Sequence, residues 1–183
     1  MLKKETFLKG INILMKTYLN WKFDITDDLQ IQIWYNQFKN LQDNLYIEII
    51  NKYISCNKFP PNCPYDLIET LKIAIEENKL SSDGAWNKVL ELVREYGFKY
   101  NADKIYESVK EDEILKKTIE YFERELENLK SDDQYVAERF KKAYEMNLKR
   151  KIENESRVLL GKKDLSKLLE FDKMLQIETK GEN

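Results

Sequence analysis

The chain contains three prolines, and all of them fall between positions 60 and 64, in CNKFPPNCPYDL. Proline removes a backbone donor and clashes with the preceding turn, so it marks where a helix cannot run. The chain before Pro60 and the chain after Pro64 carry no such breaker. Glycine, the other common breaker, occurs only five times and is scattered. In the long uninterrupted stretches, apolar residues recur at three- and four-residue steps, the spacing of an amphipathic helix. No stretch alternates long enough to read as a strand. The prediction is an all-α fold, a small helical bundle followed by a second helical segment, with one hard corner at the prolines.

The stripes predict four helices in the first half. Thr6 is the expected cap of the first, whose apolar face uses Phe7, Leu8, Ile11, Leu14, Met15 and Tyr18. Thr26 is the expected cap of the second, with Leu29, Ile33, Trp34, Phe38 and Leu41 inward. Asp43 opens the third, with Leu45, Tyr46, Ile49, Ile50, Tyr53 and Ile54 inward. After the corner, Pro64 suits the first turn of a fourth helix. Residues 79–84, KLSSDG, read as a linker. Ser82 or Asp83 then caps a fifth helix bearing Trp86, Val89, Leu90 and Val93, and Gly97 ends it just after Tyr96. A short helix starting at Asn101, another over about 112–129 and a long one after Asp133 follow. Beyond Arg150 the pattern thins into charge. The expected organisation is an N-terminal helical domain over 1–78, a second helical region over 82–150, and a charged tail over 151–183 that is flexible or helical on binding. That tail carries two short apolar groups, Leu159 with Leu160, and Leu165, Leu168, Leu169 with Leu175, which could make an amphipathic helix.

Composition narrows the chemistry. Histidine is absent, which removes the commonest general base near neutral pH and the commonest metal ligand. No glycine-rich phosphate loop occurs. The formal net charge is −2 with 35% charged residues, so no long-range field draws in nucleic acid, and DNA binding needs a local patch. No apolar run reaches membrane-spanning length. The N-terminal stretch has early lysines and apolar residues but no small-residue cleavage site, so it reads as a helix rather than a signal peptide. A cytoplasmic protein with reduced cysteines is expected.

The candidate sites are few. Cys56 and Cys63 are two potential zinc ligands where a structural site needs four, and their spacing is not that of a redox pair. Buried or half-exposed free thiols are the expectation, with no metal and no cofactor. The acids at Glu76 and Glu77, and at Glu123, Glu125 and Glu127, sit among lysines as surface pairs do. No catalytic residues are assigned and an enzyme is not expected. Lys141, Lys142, Lys149, Arg150 and Lys151, with Tyr144 nearby, make a candidate partner-binding patch suited to a phosphate backbone or an acidic protein groove. The alternative is a solvated face balanced by Glu138 and Glu145. Trp34 and Trp86 lie on core stripes, while Trp21 stands outside one and is the candidate surface anchor.

Trp34, Leu41, Tyr46, Ile54, Asn57, Phe59, Pro60, Pro61 and Leu67 together form a pattern: a tryptophan helix, a second helix, Asn-x-Phe-Pro-Pro, and a further helix. This resembles the N-terminal helical domain of the phage replicative-helicase loader and inhibitor family. The block with Trp86, Tyr96 and Gly97, and the later Arg139, Phe140 and Tyr144, are similar to a second element of phage replication proteins. The resemblance covers roughly residues 5–145. It departs from the family where Asn62, Cys63 and Pro64 follow the prolines. It implies a non-enzymatic protein of the bacterial host cytoplasm that binds and inhibits the hexameric helicase and hands it to an origin initiator. DNA contact is then weak or indirect, and the C-terminal part, with Leu165, Leu168 and Leu169, meets the helicase. The alternative reading is a nucleic-acid-binding replication or regulatory protein using the basic helix around 141–151. Phe59 is expected inside the bundle, with the prolines as a structural corner.

Overall fold

The computed structural model describes residues 1–129 and 133–162, and these are all-helical, with nine helices and no strand among them. They are α1 (Lys4–Thr17), α2 (Asp28–Phe38), α3 (Asp43–Cys56), α4 (Pro64–Glu76), α5 (Ser82–Tyr96), α6 (Phe98–Ser108), α7 (Glu113–Tyr121), α8 (Glu123–Glu127) and α9 (Gln134–Leu159). They form two compact units. One is Met1–Glu77 together with the described residues from Glu153 on; the other is Asn78–Ile152. Residues 153–162 therefore belong with the first unit, not with a separate tail.

In the first unit α3 packs against both α1 and α4. Its Tyr46, Ile49, Ile50 and Tyr53 are buried, as the stripe predicts. The α1–α3 approach is close because α1 presents Gly10, where a Cβ would sit 2.5 Å from the Tyr46 ring. Phe7 and Phe38 flank that ring at 5.7 and 5.6 Å, spacings at which tilted aromatic pairs attract. Trp34 is buried as expected. Trp21 is half-buried rather than a free anchor: it lies 4.8 Å from Phe23 and 5.6 Å edge-on to Trp34.

The register of α2 differs from the expected one. Ile31, Trp34 and Phe38 are buried, while Leu29 is 66% and Ile33 is 52% exposed. Both sets fit helical spacing, and Trp34 and Phe38 belong to either, so periodicity alone does not choose between Ile31 and Ile33. The caps also shift. Asp27, not Thr26, accepts the backbone N–H groups of Leu29 and Gln30 at 2.9 and 3.1 Å; Thr26 instead donates its hydroxyl to Asp24. Helix α1 starts after Lys3, ahead of Thr6, and the Lys3 N–H bonds the Asp43 carboxylate at 2.8 Å. Ser81, not Ser82 or Asp83, caps α5.

In the second unit α5 packs on α6, and α8 contacts α6 and α7. Helix α6 begins at Phe98. Asn101 is a kink inside it (φ −139°, ψ 37°), its side chain donating to the Tyr96 carbonyl at 2.6 Å, rather than the start of the helix. The segment expected as one helix over 112–129 is broken at Phe122, which is buried against Phe140 at 5.4 Å. Trp86 packs on Phe140 from 5.2 Å. Gly97 adopts φ +71° between α5 and α6, with no atom within 4 Å of where a Cβ would be. Only the backbone therefore resists substitution there. Gly97→Ala should cost about 1–2 kcal/mol, the penalty of a positive φ on an L-residue, read as a lower thermal midpoint for the second unit.

Helix α9 runs on to Leu159, past Arg150, where the charged tail was expected to begin. Its buried residues fall at every fourth position: Val136, Phe140, Tyr144, Leu148, Ile152 and Ser156, followed by Leu160. Four residues turn a helix about 40° past a full circle, so this buried line winds around the axis. A helix with such a line serves one set of neighbours early and another late, in keeping with its division at Ile152 and Glu153.

Candidate partner-binding surface

The proline corner is built from the core outward. Tyr18 and Tyr53 are both buried, with their rings 6.3 Å apart and edge-on. Their hydroxyls donate to the carbonyls of Asn57, at 2.8 Å, and Phe59, at 3.1 Å. The Asn57 side chain donates back to the Tyr53 carbonyl at 3.0 Å. Burial, and then the nearby Asp66, Tyr18 and Cys63, push the Tyr53 pKa up to about 12, so its hydroxyl remains a donor throughout the neutral range. On the far side of the corner, Asp66 reaches back to accept the Asn62 N–H at 2.6 Å, closing the start of α4. Pro61 is buried, and Pro60 and Pro64 are half-buried.

The corner is thus held by four hydrogen bonds, three of them to its backbone. Its one large apolar side chain nevertheless points away: Phe59 is 77% exposed. The expectation that Phe59 tucks into the bundle is overturned. The prolines and the two tyrosine hydroxyls already satisfy the corner, and Tyr53 fills the space beneath it. Sequence spacing shows that a phenylalanine precedes two prolines; it does not show which way a non-helical residue faces.

Both cysteines are exposed free thiols, not buried or half-buried ones. Cys56 ends α3 and Cys63 precedes α4, so each sits at a helix terminus on the surface. Among the described residues, no group of three or more Cys, Asp or Glu is placed to hold a metal ion, and no helix is long and apolar enough to cross a membrane.

The basic patch is smaller than its sequence suggests. Lys141 pairs with Asp83 at 2.5 Å, and Lys151 pairs with Glu113 at 2.6 Å. Tyr144 is not a surface residue at all: it is fully buried, and its hydroxyl donates to the Leu80 carbonyl at 3.2 Å. Its four-residue spacing from Phe140 and Leu148 is the signal that placed it in the core. Lys142, Lys149 and Arg150 remain exposed and make no ion pair among the described residues. Lys142 and Lys149, seven positions apart, share one face, with Met146 half exposed between them. Leu165, Leu168 and Leu169 lie outside the described residues.

Elsewhere in the second unit, Glu120, Tyr121, Glu123, Arg124, Glu125 and Arg139 line an open hollow of about 370 Å³. The Arg139 guanidinium lies 5.4 Å from the ring centres of both Phe122 and Tyr135 and 3.4 Å from Glu125. Glu123 accepts from the Tyr106 hydroxyl. These acids are thus engaged by neighbours.

Glu113 holds the start of α7 to α9. Hydrogen bonds from Lys151 and Lys117 lower its pKa to about 2, against a small opposing effect of burial. A carboxylate with a lowered folded-state pKa stabilises the fold above its unfolded value near 4.5, and that stability fades as pH falls toward 2. Because the group is more than half exposed, solvent screening limits the effect to about 0.5–1 kcal/mol. Glu113→Gln should therefore lower stability at pH 7 by that amount and converge with the native chain near pH 2, as urea unfolding across that range would show.

No protein-family model, curated protein or solved structure matches the chain.

Proposed function

We propose that the protein works by docking onto a protein partner, as a loader and inhibitor of a hexameric replicative DNA helicase that it passes to an origin initiator. The reading draws its partner from the resemblance across residues 5–145 and its mode of action from the proline corner. The observation that carries it is the exposed Phe59 ring on a backbone held by Tyr18, Tyr53 and Asp66. An exposed aromatic usually loses freedom on binding, and that loss weakens the complex. Here the backbone is ordered beforehand, so an apolar pocket on a partner captures the ring at small entropic cost. Aromatic residues seated in such pockets dominate many protein interfaces. The chain needs no chemistry of its own in this role.

The test mixes the purified protein with the replicative helicase of its phage or host, with and without ATP, and reads the mass by size-exclusion chromatography with light scattering. A stable complex with suppressed helicase ATPase is expected. Absence of a complex under both nucleotide conditions overturns the proposal. A second reading, nucleic-acid binding, has one observation behind it: Lys142, Lys149 and Arg150 are exposed without ion pairs among the described residues. It requires binding to DNA that weakens steeply with salt, and an absence of binding at low salt removes it.

A further inference from the structure

The ten residues from Leu29 to Phe38 carry no charge, the longest such run in a chain that is 35% charged. Burial explains only part of it. Ile31, Trp34 and Phe38 face the core, but Leu29 and Ile33 are more than half exposed, and Gln32 and Asn36 are exposed as well. A helix face open to water ordinarily carries charge, whereas charge is depleted where one protein surface meets another. Leu29 and Ile33, one turn apart, form the apolar centre of this face.

The face is nearly its own complement. Asn36 follows Ile33 by three positions, and Thr26, just ahead of the helix, precedes Leu29 by three. Along the face the order is therefore polar, aliphatic, aliphatic, polar. Its two ends differ in charge. Thr26 donates its N–H and its hydroxyl to the Asp24 carboxylate at 2.8 and 2.6 Å, which holds an anion beside that end. Asn36 accepts from the Lys39 ammonium at 3.4 Å, which holds a cation beside the other. Asp27 and Asp28 add to the acidic end and outweigh Lys22, and Lys39 is the first cation after them.

Two such faces match only when antiparallel. Pairing in the same direction would set Asp24 against Asp24 and Lys39 against Lys39. Turning one copy end for end about an axis level with Ile31 sets Leu29 against Ile33, Thr26 against Asn36, and Asp24 toward Lys39, with each contact made twice. The two helix dipoles then also oppose each other. We infer that α2 pairs with α2 of a second copy of this chain, antiparallel across a two-fold axis level with Ile31. The contact is small. Two aliphatic side chains from each copy bury far less than the roughly 1,200 Å² below which interfaces are transient, so the pair forms and separates with concentration. It uses no residue of the proline corner and does not rest on the partner proposed above.

The test uses the full chain with Cys56→Ser and Cys63→Ser, which removes its two exposed thiols. Sedimentation equilibrium up to about 1 mM, where even a contact with a millimolar Kd is half formed, should show one copy passing to two. Ile33→Asp should weaken that association about tenfold or more, because it buries an unpaired charge at the centre of the contact, with circular dichroism reporting that the helices are retained. Direction is read from two single-cysteine chains, Thr26→Cys and Asn36→Cys, both at exposed positions outside the aliphatic centre. They are mixed in equal amounts in a glutathione redox buffer. Random pairing would make the mixed disulfide dimer as abundant as the two dimers of like chains together. The antiparallel pair should make it about tenfold more abundant, because two copies of position 26, or two of position 36, lie about 15 Å apart along the axis, beyond disulfide reach. A chain that stays a single copy throughout overturns the inference. So does a mixture that gives the random proportion or favours like chains.

Discussion

Replacing Phe59 by alanine should leave the fold standing and remove most of the partner affinity. The ring is 77% exposed and contributes little burial, so the thermal midpoint should correspond to a change within about 0.5 kcal/mol, the range of ordinary surface substitutions. Binding to the helicase should weaken by about 2 kcal/mol or more, roughly thirtyfold in Kd, as for an aromatic anchor at an interface centre. Titration by calorimetry would measure it. Tyr53→Phe is the companion variant. It keeps the buried ring and removes only the hydroxyl bonded to the Phe59 carbonyl, so it loosens the backbone beneath the anchor without touching the anchor. A smaller loss is expected, carried by the unfavourable entropy of ordering the corner on binding. If Phe59→Ala binds as tightly as the native chain, the anchor lies elsewhere.

That pairing of a neutral effect on the fold with a large effect on binding could not be read from the sequence, and the reason is physical. Helical periodicity reports which side chains share a face, and it placed Trp34, Tyr46, Trp86 and most of the α1 stripe correctly inside. It fails where two overlapping stripes compete, as with Ile31 against Ile33. It is silent where there is no helix, as at Phe59. The charged stretch after Arg150 misled for another cause. Most residues there are polar, and the fourth-residue series through Ile152, Ser156 and Leu160 continues the buried line of α9 among them. The basic cluster showed the opposite limit. Sequence counts charges but not their partners, and Asp83 and Glu113, far away in sequence, pair with Lys141 and Lys151. Only Lys142, Lys149 and Arg150 keep the character that the sequence assigned to the group.

The second large effect concerns where the chain is cut. A protein ended at Arg150, the boundary that the charge pattern suggests, should lose about 3–5 kcal/mol from the first unit. Removing the buried Leu160 alone is comparable to a leucine-to-alanine change in a core, about 2–5 kcal/mol. The Asn40 bond to its carbonyl goes with it. So does the ion pair of Lys72 with Glu153 at 2.7 Å. Burial by itself lowers the Lys72 pKa, but Glu153 and Glu69 more than offset it and raise the value, and the cut leaves that half-buried ammonium with Glu69 alone. A protein ended at Lys162 retains every one of these contacts and should unfold with the first unit's native midpoint. Urea titrations of the two truncations, followed by tryptophan fluorescence from Trp21 and Trp34, distinguish them. Equal midpoints would show that Leu160 does not contribute to the core.

The burial of Leu160 among residues from Leu2 to Leu71 also sets a schedule for synthesis. A ribosome makes the four opening helices first, yet the leucine that completes their core is translated more than eighty residues after the last of them. Until then those helices hold an unfilled place in their packing while the chain of α5 to α8 is made. The nascent chain therefore passes through a stage in which its earliest part waits for its latest. A pause in translation before Leu160 reaches that core would prolong the exposure of the waiting helices to chaperones and proteases.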